Sequence, residues 1–163
     1  EKADEAVAAY NTGRCDAYTT DQSALYAQRL KLTEPGAHIV LPQIISKEPL
    51  GPVVRQGDNQ WGDIVRWSHF AMVNAEELGV TSKNVDTMKT NKNPAIRRLL
   101  GVDGTFGTNM GISNDWAYHI IRTVGNYSET FERNVGKSAP LGIARGVNAL
   151  WTRGGLQYAP PVR

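Results

Sequence analysis

The first thirty residues of the chain show two stretches of apolar residues at helical spacing. In residues 3–12 the apolar positions recur at i, i+3, i+4 and i+7, which predicts an amphipathic helix that stops at Gly13. Those positions are Ala3, Ala6, Val7 and Tyr10. Residues 23–30 repeat the pattern and predict a second helix. The first helix has no visible N-terminal cap, so we expect its natural start, and an upstream segment, to lie before Glu1.

Short apolar runs between the helical stretches predict strands. Residues 15–20 form one run, and residues 38–41 and 44–46 form two more. Alternation of helix and strand is typical of an α/β layer. Residues 47–55 contain two prolines, which remove ladder donors, so this stretch is predicted to be an edge strand or a segment that crosses between two lobes.

The second half of the chain is predicted to be nearly all helical. The strongest helix spans residues 58–79, with Asp58 as N-cap and Gly79 at its end. Shorter helices are predicted over residues 82–88, 94–101, 115–124 and 127–135, the first three capped by Ser82, Asn93 and Asn114. A glycine-rich loop is predicted at 101–112 and an extended tail at 154–163.

Composition fits one globular domain or two small lobes. The chain has 163 residues, of which 40% are hydrophobic and 21% charged. The 18 Lys and Arg residues are scattered and nearly balanced by 16 Asp and Glu residues, which argues against nucleic acid as a partner. No run of 18 apolar residues is present, so no membrane-spanning segment is predicted.

Few residues in the sequence are candidates for catalysis or metal binding. Cys15 is the only cysteine, which leaves it as a small buried hydrophobe at a strand start or as one half of a disulfide to an upstream segment in an oxidising compartment. The histidines at 38, 69 and 119 are too scattered for a zinc site and are predicted to be surface or packing residues. Asp103 lacks the following oxygen ligands of a calcium loop. We therefore predict no catalytic residue, metal site or cofactor.

Two further patterns have simple interpretations. Asn126, Tyr127 and Ser128 form a glycosylation sequon, which matters only if the source glycosylates secreted proteins. Trp61 and Trp116 lie on apolar helix faces and are predicted to be core residues.

Asp21 is the most informative single residue, because it follows a predicted strand and precedes a predicted helix. A carboxylate in that position is usually an N-cap. It is also where ligands bind in open α/β sheets, outside the carboxyl ends of the strands. An ionised carboxylate there could hold a ligand ammonium, with the hydroxyls of Thr19 and Thr20 alongside it. The residues alone leave both interpretations open.

Long motifs over essentially the whole chain resemble the C-terminal half of periplasmic general L-amino acid-binding proteins, the substrate-binding components of ABC transporters in Gram-negative bacteria. The motifs are EAVAAYNTGRCDAYTTD, ISKEPLGPVVRQGDNQW, DIVRW, NAEELGVTS, NPAIRRLLG, NDWAYHIIRTVGNYSETFERNVG and LWTRGGLQYAPPVR. Motifs of this length are far more specific than any short pattern.

The resemblance implies an α/β fold of the type 2 periplasmic binding protein class, in which two lobes are joined by a hinge. It implies that residues 1–46 are the C-terminal part of the second lobe. Residues 47–80 would then cross the hinge and return to the first lobe, and residues 81–163 would form a helical C-terminal extension.

The resemblance also implies a function: capture of L-amino acids in the periplasm for delivery to the membrane permease. It implies that Asp21 binds the α-ammonium of the ligand, with Thr19 and Thr20 nearby. It also implies that Glu48 could influence which ligand side chains are accepted, although a solvated charge in the hinge is the simpler interpretation of Glu48. It also implies that Cys15 pairs with an upstream cysteine.

The upstream residues that grip the α-carboxylate in this family have no counterpart in this chain. We therefore expect the chain alone not to be fully competent to bind, with the missing N-terminal portion of the same protein as a partner. Apolar surface meant for that portion predicts self-association.

Two other functional classes remain open at this point. An amino-acid-sensing or interaction module would use the same binding site. An enzyme on this fold would use Asp21 or Glu48 as general acid or base, but the sequence shows no pattern that identifies a second catalytic residue.

Overall fold

The computed structural model describes residues 2–47 and 49–163, and in it the chain divides into two compact units. Unit 1 consists of the described residues of Glu1–Gly51 together with Val135–Ala144. Unit 2 consists of Pro52–Asn134 and Arg145–Arg163.

Unit 1 contains the two helices predicted from the first thirty residues. Helix α1 spans Ala3–Asn11 and α2 spans Gln22–Arg29, followed by a 3-10 turn at Pro35–Ala37. Gly13 has a φ of +73°, a left-handed conformation that ends α1 as its position in the sequence predicted. The side chain of Asn11 bonds to Thr33, with its Nδ2 donating to Thr33 Oγ1 at 3.1 Å and its Oδ1 accepting from the Thr33 amide at 3.2 Å.

The predicted strands are wrong for the described part of the chain. Residues 15–20, 38–41 and 44–46 form no ladder there, and the described residues of 47–55 also lack one. A strand is stable only when a neighbour accepts and donates its backbone hydrogen bonds, and no such neighbour is present among the described residues. Most of the aliphatic side chains in these segments are accordingly exposed, Ile45 by 83%.

Unit 2 is built around one long helix, α3, which spans Asn59–Glu77. The Asp58 carboxylate accepts a hydrogen bond of 3.1 Å from the Trp61 amide, so Asp58 is the N-cap that the sequence predicted. Gly79 follows the helix with a φ of +69°. The C-terminal half of α3 is buried, including Ala71, Val73 and Ala75, which makes this helix the centre of the unit.

Five shorter helices pack around or follow α3. They are α4 (Val85–Met88), α5 (Pro94–Leu99), α6 (Phe106–Asn109), α7 (Trp116–Val124) and α8 (Tyr127–Asn134). Two 3-10 turns lie further on, at Gly146–Asn148 and Trp151–Arg153. Asn93 caps α5, its side chain accepting from the Ala95 amide at 2.9 Å, as predicted. Helix α6 lies inside the segment that was predicted to be a glycine-rich loop.

Two predicted caps are wrong. Helix α4 begins at Val85 rather than near Ser82, because the Ser82 hydroxyl donates to Glu129 at 2.6 Å instead of capping its own segment. Helix α7 begins at Trp116, one residue later than predicted. The Asn114 side chain accepts from the Thr108 amide at 2.9 Å and so ties down the preceding loop.

The core of unit 2 is formed where α3, α5 and α7 meet. Its most completely buried large side chains include Leu99, Leu100 and Ile121. A smaller cluster forms where the C-terminal segment crosses α3 and brings Leu150 and Ala159 against Val73. The tail makes one parallel bridge, between Leu150 and Gln157, and the Asn74 side chain donates to the Pro160 carbonyl at 2.8 Å.

Of the remaining packing predictions, one is confirmed and one is wrong. Trp116 is buried in the core as predicted, whereas Trp61 is 53% exposed, so its prediction as a core residue is wrong. Asn126 is buried and its side-chain amide donates to the Val80 carbonyl at 2.9 Å, so the sequon does not present a surface asparagine. None of the helices in the described ranges is long and apolar enough to cross a membrane.

Candidate functional site

Asp21 lies in unit 1, directly before the first turn of α2. Its backbone is extended, with φ −51° and ψ 142°, and its carbonyl accepts from the Leu25 amide at 2.9 Å. Among the described residues, its carboxylate accepts no capping hydrogen bond from the first-turn amides of α2. Asp21 therefore occupies the N-cap position of α2, but its side chain does not cap the helix. A half-buried carboxylate that is not used by its own helix keeps its acceptor capacity for another partner.

Thr19 and Thr20 are exposed and lead directly into Asp21. The structure thus places three of the predicted ligand-binding residues on one short irregular segment. Glu48, the fourth, lies outside the described residues.

Cys15 lies at the start of the same segment and is exposed, with a free thiol. The prediction of a buried hydrophobe at a strand start is therefore wrong, because the segment has no neighbouring strand to cover it in the described part of the chain. Its disulfide to an upstream segment stays a prediction.

Aromatic side chains support the segment that carries Asp21. The ring of Tyr18 lies 6.5 Å from the ring of Tyr10, measured between centroids. The Tyr10 hydroxyl and His38 Nδ1 are hydrogen-bonded at 2.7 Å, and their rings are 5.3 Å apart. Helix α1 is therefore linked both to the residue before Thr19 and to the chain that follows α2.

Gln28 lies on α2, and no pattern in the sequence marks it as a functional residue. Its side-chain oxygen is buried and has no hydrogen-bond partner among the described residues. A buried acceptor without a partner is energetically costly, which makes Gln28 a second unused polar group on this helix.

The other two histidines are packing and surface residues, as predicted. The ring of His69 meets the ring of Tyr127 edge-on at 5.5 Å, and His119 Nε2 lies 2.9 Å from the Asp115 carboxylate. Within residues 2–47 and 49–163, no three His, Cys, Asp or Glu side chains cluster in a way that could hold a metal ion.

The carboxylate of Glu129 in unit 2 accepts several hydrogen bonds. It accepts from the Ser82 amide and hydroxyl and, at 2.8 Å, from the Asn126 amide, while the Asn126 side chain accepts from the Glu129 amide at 3.0 Å. Burial alone would raise the pKa of Glu129, but these hydrogen bonds outweigh it and the pKa is lowered. The reciprocal Asn126–Glu129 bonds are a capping box, and the Asn-x-x-Glu spacing was its signal in the sequence.

Unit 2 also contains two cavities with mainly apolar lining, one beside Trp67 and Trp116 and one beside Val54 and Phe70. The predicted site residues that the structure describes, Cys15, Thr19, Thr20 and Asp21, line neither cavity. The candidate site is therefore the Asp21 segment of unit 1.

Comparison with known proteins shows extensive similarity, although no family model matches the chain. The chain is 61% identical over its whole length to the general L-amino acid-binding periplasmic protein of Rhizobium johnstonii. It is 57% identical over its whole length to a putative amino-acid ABC transporter-binding protein of Escherichia coli. Over 94% of its length it is 54% identical to the glutamate/glutamine/aspartate/asparagine-binding protein of Rhodobacter capsulatus.

A solved structure is similar over the same range. It is an ABC transporter periplasmic binding protein from Brucella ovis with glutathione bound, which superposes on the whole of this chain with a TM-score of 0.92 and 59% identity. The chain is a homologue of the periplasmic amino-acid-binding proteins of ABC transporters.

This homologue of the periplasmic binding proteins spans about half the length of its relatives. The matches cover 48% of the Rhizobium and Escherichia proteins, 46% of the Rhodobacter protein and 51% of the Brucella chain. The predicted resemblance is confirmed, and the relatives are named as binding proteins of transporters, not as enzymes. The α/β detail of the fold prediction is not reproduced in the described residues, which are mainly helical.

Proposed function

We propose that this chain is part of a periplasmic solute-binding protein that captures L-amino acids for an ABC transporter permease. Homology over the whole chain to proteins named as amino-acid-binding components supports transport over the sensing and enzymatic alternatives. Under this proposal residues 1–46 belong to the second lobe, residues 47–80 to the hinge crossing and the return to the first lobe, and residues 81–163 to a helical C-terminal extension.

The observation that carries the site assignment is the carboxylate of Asp21, which does not bond to its own helix. In the proposed site it accepts charge-assisted hydrogen bonds from the ligand α-ammonium. Thr19 and Thr20 add hydroxyl groups next to it. Glu48 is retained as a residue that tunes side-chain choice, and Cys15 as one half of a disulfide to the upstream portion.

The ligands named for the relatives share one chemical feature. General L-amino acids, the four acidic and amide amino acids, and glutathione all carry an α-ammonium beside an α-carboxylate. A site that binds only these two groups accepts ligands with many different side chains. We therefore propose a broad ligand class, defined by the free α-amino acid group.

The proposed mechanism is binding without covalent chemistry. The ligand bridges two lobes and shifts an equilibrium towards a closed form that the permease recognises. Because the α-carboxylate donors are expected in the missing N-terminal portion, tight binding requires that portion as a partner.

The test is calorimetric binding to the full-length protein that contains this chain. L-glutamate, L-glutamine and glutathione are titrated, with N-acetyl-L-glutamate as a probe that lacks the ammonium. Asp21→Asn keeps the size of the side chain and removes its charge, and we expect it to weaken binding of L-glutamate by about 2 to 5 kcal/mol. Asp16→Asn, at an exposed carboxylate in the same segment, is the matched control.

Two results would contradict the proposal. Wild-type protein that binds N-acetyl-L-glutamate as tightly as L-glutamate would show that no ammonium is recognised. An Asp21→Asn variant that binds as tightly as the Asp16→Asn control would remove Asp21 from the site.

A further inference from the structure

Tyr10 joins three separate parts of unit 1. It lies on α1, its ring contacts Tyr18 in the segment that leads to Asp21, and its hydroxyl bonds to His38 beyond α2. All three side chains are half-buried. The cluster is thus a partly desolvated contact, where a hydrogen bond contributes more than it does in water.

These contacts matter because no ladder fixes the path of residues 15–20 in the described structure. The segment has no backbone pairing there, so its conformation depends on how the chain after it is held and on contacts of its own side chains. At one end the Asp21 carbonyl is held by the first turn of α2. Near the middle, Tyr18 is supported by Tyr10, two residues before Thr20.

We propose that Tyr10 is a positioning residue for Asp21. It acts through Tyr18, and its hydrogen bond to His38 holds its own ring in the orientation that supports Tyr18. The inference rests on the proposed function, because Asp21 must contact the ligand for its position to affect binding. Tyr10 itself does not touch the ligand in this proposal.

The experiment is a double-mutant cycle in the full-length protein, with L-glutamate as the probe. Tyr10→Phe removes only the hydroxyl and keeps the ring. In the native background we expect it to weaken binding about 3- to 10-fold, the usual net effect of one lost neutral hydrogen bond. In the Asp21→Asn background we expect no further loss, because the group being positioned is no longer charged. Titration at millimolar ligand keeps the weak variants measurable.

The cycle separates positioning from general support of the fold. A merely structural role would weaken binding equally in both backgrounds. Tyr26→Phe is the matched control, since it removes a hydroxyl from α2 in the same unit, and we expect it to leave affinity unchanged. His38→Leu breaks the same hydrogen bond without altering Tyr10. We expect the combined loss of affinity in the Tyr10→Phe/His38→Leu double variant to be smaller than the sum of the two single losses, because both changes remove one bond.

The inference and the proposed function fail in different ways. If Tyr10→Phe has no effect, or has an equal effect in both backgrounds, Tyr10 does not position Asp21, whereas the binding function stands. If Asp21→Asn binds as tightly as wild type, the assignment of Asp21 fails first.

Discussion

The guanidinium of Arg145 lies 3.0 Å from the carboxylate of Glu76 and ties the C-terminal segment to the end of α3. Both side chains are largely removed from water, with 16% and 4% of their surfaces exposed. The guanidinium also lies 5.1 Å from the ring centroids of Tyr127 and Phe131 and donates to the Asn148 carbonyl. This is the most buried ion pair among those in the described part of unit 2.

Replacing Glu76 alone is expected to destabilise unit 2 strongly. Glu76→Leu leaves a desolvated guanidinium without its counter-charge, which costs about 3 to 5 kcal/mol. The double variant Glu76→Leu/Arg145→Met removes both charges and should recover most of that loss. Urea unfolding measures both, with Asp63→Asn in the exposed Asp63–Arg66 pair as the control, expected to change stability by less than about 0.5 kcal/mol. A double variant as unstable as Glu76→Leu would contradict this account.

Acid sensitivity of unit 2 is expected to depend on Glu129. Its pKa is lowered in the folded protein because the hydrogen bonds from Ser82 and Asn126 outweigh the effect of burial. The carboxylate therefore contributes stability that is fully present above its unfolded pKa, near 4.5, and is lost as the pH falls through the folded value. We expect Glu129→Gln to lose about 1 to 3 kcal/mol at pH 7 and to differ less from wild type as the pH falls below 4.5.

Unfolding curves collected from pH 7 to pH 3 test this expectation. Ser82→Ala and the double variant complete a cycle, in which Ser82→Ala should matter less once Glu129 is neutral. A stability difference between wild type and Glu129→Gln that stays constant over this pH range would show that ionisation of Glu129 is not linked to folding.

The two aspartates that precede α2 and α3 are expected to differ in their effect on helix stability. Asp58 bonds to the Trp61 amide, so Asp58→Ala should cost about 1 kcal/mol. Asp21 makes no such bond among the described residues, so Asp21→Ala should cost about 0.5 kcal/mol or less, through the helix dipole alone. Hydrogen exchange of the Gly62 and Leu25 amides, which bond to the Asp58 and Asp21 carbonyls, reports each helix separately. Equal losses would indicate that Asp21 is an ordinary cap.

The sequence was sufficient for helices α1, α2 and α3 because their signals are local. The apolar spacing that predicted α1, α2 and α3 requires only neighbours within two turns of the same segment. Strand formation in residues 15–20 and 38–41 depends on a partner far away in the chain, and the described residues supply none. The sequence shows that these residues suit a strand, but it does not show whether a partner is there.

The same distinction explains the outcome at the candidate site. Position in the sequence was enough to place Asp21 at the start of α2. It could not show that the carboxylate leaves the helix amides unbonded, nor that Tyr10 contacts both Tyr18 and His38, because these depend on side-chain directions across distant segments. At Ser82 and Asn114 the sequence offered suitable capping residues, but the Ser82 side chain bonds to Glu129, which is far away in the chain, and the Asn114 side chain bonds to Thr108 in the preceding helix α6.

Exposed apolar residues of unit 1 predict association of the chain when it is alone. They are Leu30 and, within residues 39–50, Ile39, Leu41, Ile44, Ile45 and Leu50. A contiguous stretch of this kind is a candidate for contact with another chain or with the rest of the same protein. We expect light scattering to show a mass that rises with concentration, and Ile45→Lys to reduce it. Val124→Lys, at an exposed apolar residue of unit 2, should not, and equal effects of the two variants would exclude this surface.

Two glycines on short and long helices of unit 2 are expected to respond in opposite directions to alanine. Gly62 lies inside α3, where an added Cβ would meet only Val54 Cγ2 at an ordinary contact distance of 3.5 Å. Alanine there should stabilise unit 2 by about 0.5 to 1 kcal/mol, because glycine loses more backbone freedom on folding. At Gly107 in α6 a Cβ would collide with the Ser113 carbonyl, so Gly107→Ala should cost about 1 to 3 kcal/mol. Thermal unfolding compares the pair directly. If Gly107→Ala were also stabilising, α6 and the loop before α7 would have to lie further apart than the structure places them.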